Sequence, residues 1–253
     1  MTLTDTPQSP TTAEAEPKTL VESAYRQLRR DIVTGHLPPG EKLRVEHLKD
    51  GYNVGAGTLR EALALLVADA LVVAQGQRGF RVAPISLSDL RDITQTRVLL
   101  ETEALRQSIE SGDDAWEGDV LAAFHRLSRA EDKFAKQSGG TFDEWEERNR
   151  VFHETLIAAC PSRWVHHFLG ILYQQSERYR RLSLTTHAIP RDVHAEHGAI
   201  LEATLARDAD KACELLAEHI RLTLRSIEVL PPELLAPNNT KKPRASGKAA
   251  SKG

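Results

Sequence analysis

Pro84 divides this chain into two patterns, and that change constrains the fold more than any other feature of the sequence. Before it, short apolar periodicities alternate with turn residues; after it, the reading is long helix throughout. Leu20, Ala24, Leu28 and Ile32 recur every four residues and predict a helix from Leu20 to Thr34. Gly35 stops it, and His36-Leu37-Pro38-Pro39-Gly40 is a turn that proline cannot continue as helix. A short helix over Val45–Tyr52, a turn with Asn53 and Gly55, and a helix from about Gly57 to Ala70 follow, the size of a helix-turn-helix. Leu59, Ala62, Leu63, Leu66 and Ala70 form the expected buried stripe of the second helix. Leu71-Val72-Val73 and Phe80-Arg81-Val82 flank Gln75-Gly76-Gln77-Arg78-Gly79, two β-segments around a Gly-rich turn: a hairpin, or wing.

Six helices are expected beyond Pro84. Ser88, Asp113-Asp114, the capping box Thr141/Glu144, Ser162, Pro190-Arg191 and Asp208 open them, the second ending near Gly139 and the third at Pro161. Six such helices are enough to build a bundle with an interior. The fold class is mainly α, a winged helix-turn-helix followed by an all-α six-helix bundle. The domains expected are a flexible leader at 1–17, a DNA-binding unit at 18–84, a helical unit at 85–230 and a disordered basic tail at 231–253.

Composition narrows the function classes. Of 253 residues 40% are hydrophobic and 27% charged, which excludes a wholly disordered chain. No apolar run approaches the roughly 20 residues of a membrane span, and Met1–Pro17 has no signal core. Cys160 and Cys213 form no disulfide framework, so a reduced cytoplasmic protein is expected. Residues 18–84 hold ten Lys/Arg against seven Asp/Glu, whereas 85–230 hold 18 against 25. A basic block on an acidic body fits a polyanion partner for the first part only, although charge alone does not decide it.

A second feature lies within the helical part. Asn149, Phe152, His153, Leu156 and Cys160 fall on one helical face. His197 shares a stripe with Ile200, Leu201 and Leu205, and His219 follows Leu215 and Leu216 ahead of Thr223. Any one of these histidines is read first as a satisfied core residue. Three together, from different helices, are how bundles build metal sites, because unpaired buried imidazoles cost about 1–3 kcal/mol each. Three neutral imidazoles and an oxygen donor suit Zn²⁺, Ni²⁺ or a similar ion.

Residues 32–43, from Ile32 to Leu43, with Thr58-Leu59-Arg60-Glu61-Ala62-Leu63 and Gly79-Phe80-Arg81-Val82, resemble the winged helix-turn-helix of GntR-family transcription regulators. The resemblance implies that Arg44, Thr58 and Arg60 contact DNA, with Arg78 and Gly79 of the wing at the minor groove or backbone. A salt bridge for Arg60 and a solvated surface for Arg44 and Arg78 are the plainer alternatives. Gly55 and Ala56 stand where most relatives carry Ser or Thr and then Arg.

Arg97-Val98-Leu99-Leu100-Glu101, Asn149-x-x-Phe152-His153, Glu196-His197-x-x-Ile200-Leu201 and His219 resemble the ligand-sensing (FCD) bundle of the FadR subfamily. This implies a divalent metal on Asn149, His153, His197 and His219 within an effector cavity, and a small carboxylate captured by Arg97 with Glu101 orienting it. Asn149 replaces an Asp common in relatives, so the metal sits on three histidines alone or Asn149 bonds the effector instead. Tyr52 to Leu63 with Asp143-Glu144-Trp145 are similar to repressors of glutarate-type dicarboxylate catabolism. The resemblance thus implies a homodimeric repressor, not an enzyme, on a pseudo-palindromic double-stranded operator. A metal-dependent enzyme, and a DNA-binding protein whose metal is purely structural, are the alternatives.

Overall fold

The computed structural model describes residues 17–136, 141–184 and 191–230, apart from the side chains of Gln77 and residues 182–184. The expected leader up to residue 16, the tail from Pro231, Gly139, His187 and Pro190 lie outside the described residues.

Helix α1 (Leu20–Val33) is capped by Thr19, whose hydroxyl accepts from the Glu22 amide, and buries Ala24, Leu28, Ile32 and Val33. Leu20, counted with that stripe, is 65% exposed, because the cap places it at the outer end of the first turn. The chain reverses at Gly35 (φ 83°) and Gly40 (φ 78°), left-handed positions that glycine adopts without strain. Strand β1 (Lys42–Leu43), α2 (Val45–Leu48) and α3 (Ala56–Ala68) follow. Leu59, Leu63 and Leu66 of α3 are fully buried against α1, each contributing about 1.5–3 kcal/mol. Ala70 does not extend that stripe: it lies beyond the helix with φ 56° and is exposed.

Strands β2 (Val72–Ala74) and β3 (Phe80–Val82) form the expected hairpin, pairing Val72 with Val82 and Ala74 with Phe80. A turn of 3₁₀ helix (Gly76–Arg78) closes it, and Gly79 takes φ 87°. Strand β1 pairs on the other side of β3, Lys42 opposite Arg81, making a three-stranded sheet of order β1-β3-β2. Two residues next to prolines and glycine carry too short an alternation to announce that strand.

Among the described residues six helices make up the second part: α4 (Leu87–Ser111), α5 (Asp114–Ala135), α6 (Phe142–Leu156), α7 (Arg163–Leu184), α8 (Val193–Leu205) and α9 (Ala209–Glu228). Asp113, Thr141, Asp192 and Asp208 cap α5, α6, α8 and α9, each accepting from the amide three residues on. Helix α4 begins one residue before Ser88: Ser86 is its cap, and accepts from the Asp89 amide. Helix α6 ends at Leu156, several residues short of Pro161. The bundle core joins Leu105, Trp116, Leu127, Phe152, Leu156, Ile200 and Leu216.

Helix α7 ties the two parts together. Gln175 Nε2 donates to the Asp69 carbonyl at 3.0 Å and Arg178 Nη2 to the Ala83 carbonyl at 2.5 Å, while within the bundle the Tyr179 hydroxyl donates to Asp89 at the start of α4 at 2.6 Å.

Candidate functional site

Within the bundle, α6, α8 and α9 bring His153, His197 and His219 together. One ring nitrogen of each lies within 4.8 Å of the others, and ring centroids are 5.6 Å (153–197), 5.1 Å (153–219) and 4.7 Å (197–219) apart. All three are buried, at 3%, 0% and 7% exposure. The stripes that the sequence places in the core therefore converge on one point.

Carboxylates hold two of the rings from behind. Glu131 of α5 accepts from His197 Nδ1 at 2.8 Å, and its other oxygen bonds His194 Nδ1 at 2.7 Å. His197 Nε2 is left buried with no partner among the described residues. Glu196 accepts from His219 Nδ1 at 2.8 Å, and is itself gripped by Arg191 Nε at 2.6 Å. His153 Nδ1 is also buried without a partner, 3.8 Å from Glu101 Oε2. Burial, then the neighbouring imidazoles, hold His153 and His219 well below the usual histidine range, so both are neutral near pH 7. Neutral imidazoles with an unused nitrogen and a carboxylate behind the ring are the donor set that a divalent ion requires.

A cavity of about 390 Å³ opens beside the triad, lined by His153, His219, Asn149, Arg97, Arg180 and Arg191, with Trp145, Phe134 and Ile220 on its apolar side. Arg97 is 5% exposed and donates to Glu101 Oε1 at 2.6 Å. Tyr173 donates to the other Glu101 oxygen at 3.1 Å, with the Arg97 guanidinium 4.8 Å from its ring. Surface placement of Arg97 is thus ruled out, while its pairing with Glu101 is as expected. Asn149 sits one turn before His153 on the cavity wall.

Residues to which the sequence gives no site role complete the site: Glu131, Tyr173, Arg180 and Arg191, the last expected as a helix opener but lying before the Asp192 cap of α8. Glu131 follows Leu127 by four on the buried face of α5, and Arg180 continues the Leu169, Tyr173, Ser176 stripe of α7, so a carboxylate and a guanidinium on apolar stripes were the available signals. Arg191 lies outside any helix, where periodicity carries no information.

The helix-turn-helix presents a second constellation. Arg44, at the N-cap of α2, and Arg60 on α3 are exposed, and Thr58 is half-buried in the first turn of α3. Gly55 is the N-cap of α3 and supplies no side-chain cap. Arg60 lies 3.8 Å from Glu46 on α2, the salt bridge that the plainer alternative allows, and stays 57% exposed. In the wing Arg78 is exposed, while Arg81 braces the hairpin through Gln75 Oε1 at 3.0 Å and the Gly40 carbonyl at 2.8 Å. Tyr25 donates to Asp69 and Tyr52 to Asp31, each at 2.5 Å, fixing α1 to the helix-turn-helix.

A winged helix-turn-helix joined to a six-helix bundle with a buried polar cavity defines a class of ligand-responsive DNA-binding regulators. The chain belongs to the GntR family: residues 20–82 match the model "Bacterial regulatory proteins, gntR family" and residues 92–222 the "FCD domain" model. It is 49% identical over 210 residues to the uncharacterized HTH-type transcriptional regulator BphR of Paraburkholderia xenovorans, covering 83% of this chain and 86% of that one. It is 38% identical over 200 residues to the HTH-type transcriptional repressor GlaR of Escherichia coli K12, covering 78% and 90%. The E. coli McbR/YncC structure shares the fold, with a TM-score of 0.68 at 20% identity over 83% of this chain and 97% of that one. No helix among the described residues is long and apolar enough to cross a membrane.

Proposed function

We propose that this regulator is a homodimeric repressor, acting in the cytoplasm, that leaves a pseudo-palindromic operator when a small carboxylate enters the cavity of its helical part. The observation that carries this reading is the convergence of three buried histidines beside a buried arginine, in a chain of the GntR family. His153, His197 and His219 would hold a divalent ion of the Zn²⁺ or Ni²⁺ kind, with Asn149 as a further oxygen donor or as a hydrogen-bonding group for the effector. The ion supplies a Lewis-acidic position for one carboxylate oxygen. Arg97 binds the carboxylate, and Glu101, held by Tyr173, keeps its guanidinium in place. A short dicarboxylate such as glutarate is the first effector to test.

On the DNA side, Thr58 and Arg60 read the major groove, Arg44 meets phosphate, and Arg78 with Gly79 reaches the backbone or minor groove. The division falls at Pro84, with 18–84 binding DNA and 85–230 sensing and dimerising. The first 17 residues and those from 231 are assigned to flanking segments.

The test is binding of DNA from upstream of the protein's own gene against excess non-specific competitor. Glutarate and related carboxylates are then titrated with and without a chelator. Release by one acid, abolished by chelation, is expected. His197→Ala should keep the fold and DNA binding while losing the response; loss of the fold itself would make the ion purely structural. No preference over competitor DNA would overturn the regulator reading.

A further inference from the structure

The cavity has a second face. Arg180 on α7, its side chain 12% exposed, lines it and holds both oxygens of Glu146 on α6, with Nε to Oε2 at 2.9 Å and Nη2 to Oε1. Glu146 is 4% exposed, and its other side lines a cleft of about 340 Å³ between the bundle and α1. Across that cleft Arg26, Arg29 and Arg30 of α1 face Glu146, Glu147 and Glu177, and on the carboxylate side Arg150 holds Glu147 while Arg181 holds Glu177. Arg26 is paired with Glu22 at 2.6 Å, but Arg29 Nε is buried with no hydrogen-bond partner among the described residues. A buried donor left unmet is costly, and one beside a wall of carboxylates marks an arrangement that a small change would complete.

Resting on the carboxylate-sensing reading above, we propose that Arg180 is a further effector-binding residue, and that the Arg180–Glu146 pair transmits occupancy of the cavity to the DNA-binding part through Arg29 of α1. An anion in the cavity competes with Glu146 for the Arg180 guanidinium. Glu146 and Glu177 share the bundle wall of the cleft and repel each other, an effect that already helps to raise the Glu177 carboxyl, after burial. As Arg180 turns to the effector, the cleft holds two like charges with less compensation. Arg150 and Arg181 in the same cleft are committed to Glu147 and Glu177, so Arg29, with its unmet Nε donor, supplies the rest and draws α1 toward α6 and α7. Helix α1 cannot move alone. It is packed on α3 through Leu28 and Ile32 and bolted to the helix-turn-helix by the Tyr25–Asp69 and Tyr52–Asp31 bonds, so the recognition helix moves with it. The two states then differ in an identifiable contact, which is what coupling between distant sites requires.

The test needs neither effector nor operator, because Arg180→Gln imitates the loss of Arg180 from Glu146. Spin labels at Ala64→Cys on α3 and Asp119→Cys on α5, both exposed positions, report the separation of the two parts. Native Cys160 and Cys213 are buried, and dilution into excess unlabelled protein removes intersubunit distances. R180Q should shift the label distance from that of the wild type, and both R29Q/R180Q and E146Q/R180Q should return it. On operator DNA, R180Q should bind more weakly by a factor of about 5–150, the usual range of coupling, and R29Q/R180Q should recover. If circular dichroism shows R180Q unfolded, Arg180→Lys keeps the charge but cannot hold both oxygens, and serves in its place. An R180Q or R180K distance identical to the wild type, or a shift that persists without Arg29, overturns the relay and leaves the regulator reading intact. A relay seen in these distances with no carboxylate response on DNA would instead remove the sensing reading on which the proposal rests, and with it the role of Arg180 toward an effector.

Discussion

Glu131 offers the sharpest test of the histidine site, because its carboxylate holds the His197 ring from behind while its other oxygen holds His194. Its Oε1 accepts from His197 Nδ1 at 2.8 Å, which fixes the tautomer that leaves Nε2 bare toward the other two histidines. Replacement of such an outer partner costs about 10–100-fold in metal affinity, and each tenfold is about 1.4 kcal/mol. Glu131→Gln retains an oxygen that accepts the same hydrogen bond but loses the charge that makes it roughly twice as strong, so the loss should lie near tenfold. Glu131→Ala frees the ring to choose either tautomer and should approach a hundredfold. His194, half-exposed on the other oxygen, is an internal control: His194→Ala leaves the His197 contact in place and should cost far less. Competition for Zn²⁺ against a chromophoric chelator reads all three, with thermal melting of the chelated protein to check the fold. If E131A binds Zn²⁺ as tightly as the wild type while His197→Ala does not, orientation through Glu131 is refuted. Equal affinity in both variants refutes the triad itself.

Three further predictions follow from other parts of the molecule. A Cβ on Gly112 would lie 2.2 Å from Trp116 Cε3 and 2.7 Å from the Ser108 carbonyl, so Gly112→Ala should lower stability by about 1–3 kcal/mol in urea unfolding without altering the DNA-binding surface. Arg60→Ala should weaken operator binding by about 1–3 kcal/mol and relax preference at one base pair, whereas Arg44→Ala should weaken all sequences alike and reduce the salt slope by about one, both read by titration at several salt concentrations. Burial, then Asp69, pushes the Tyr25 phenol up to about 12, so the unfolded chain loses that proton first on raising the pH above about 10. Stability should therefore fall between those values, and fall less in Tyr25→Phe, as followed by denaturant midpoints.

The sequence made the architecture legible wherever one physical signal dominated. Caps at Thr141, Asp113 and Asp208 and the left-handed turn at Gly35 are local, and each lies where side-chain chemistry or backbone sterics place it. The three histidines were legible for a different reason: an imidazole on an apolar stripe is anomalous, and three anomalies in one bundle have to meet somewhere. Strand β1 was missed because two residues hold no alternation, and its pairing with β3 is a tertiary event. Glu131 and Arg180 escaped notice although they lie on buried stripes, since charged residues are ordinarily counted with the solvent face. Arg191 reaches Glu196, Thr223 and the His219 carbonyl from outside any helix, a geometry that no sequence spacing encodes.

The matching of charges around the cavity has a consequence for what can enter it. Arg97, Arg180 and Arg191 are each balanced by a glutamate, Glu101, Glu146 and Glu196 respectively. Among the described residues Glu131 is left as the one carboxylate at the triad without an arginine of its own, and the His153 and His219 rings are neutral. A doubly charged cation held there would then exceed its surroundings by a single positive charge, since Asn149 supplies none of the compensation that an aspartate would. A carboxylate arriving at such an ion would be the counter-ion that the protein itself omits. One ionised group restores neutrality, and a second has to displace a glutamate from its arginine or find its cation at the rim. Acetate or citrate in a purification buffer would occupy the same role, and a preparation exchanged into a non-coordinating buffer should respond to lower concentrations of its true effector.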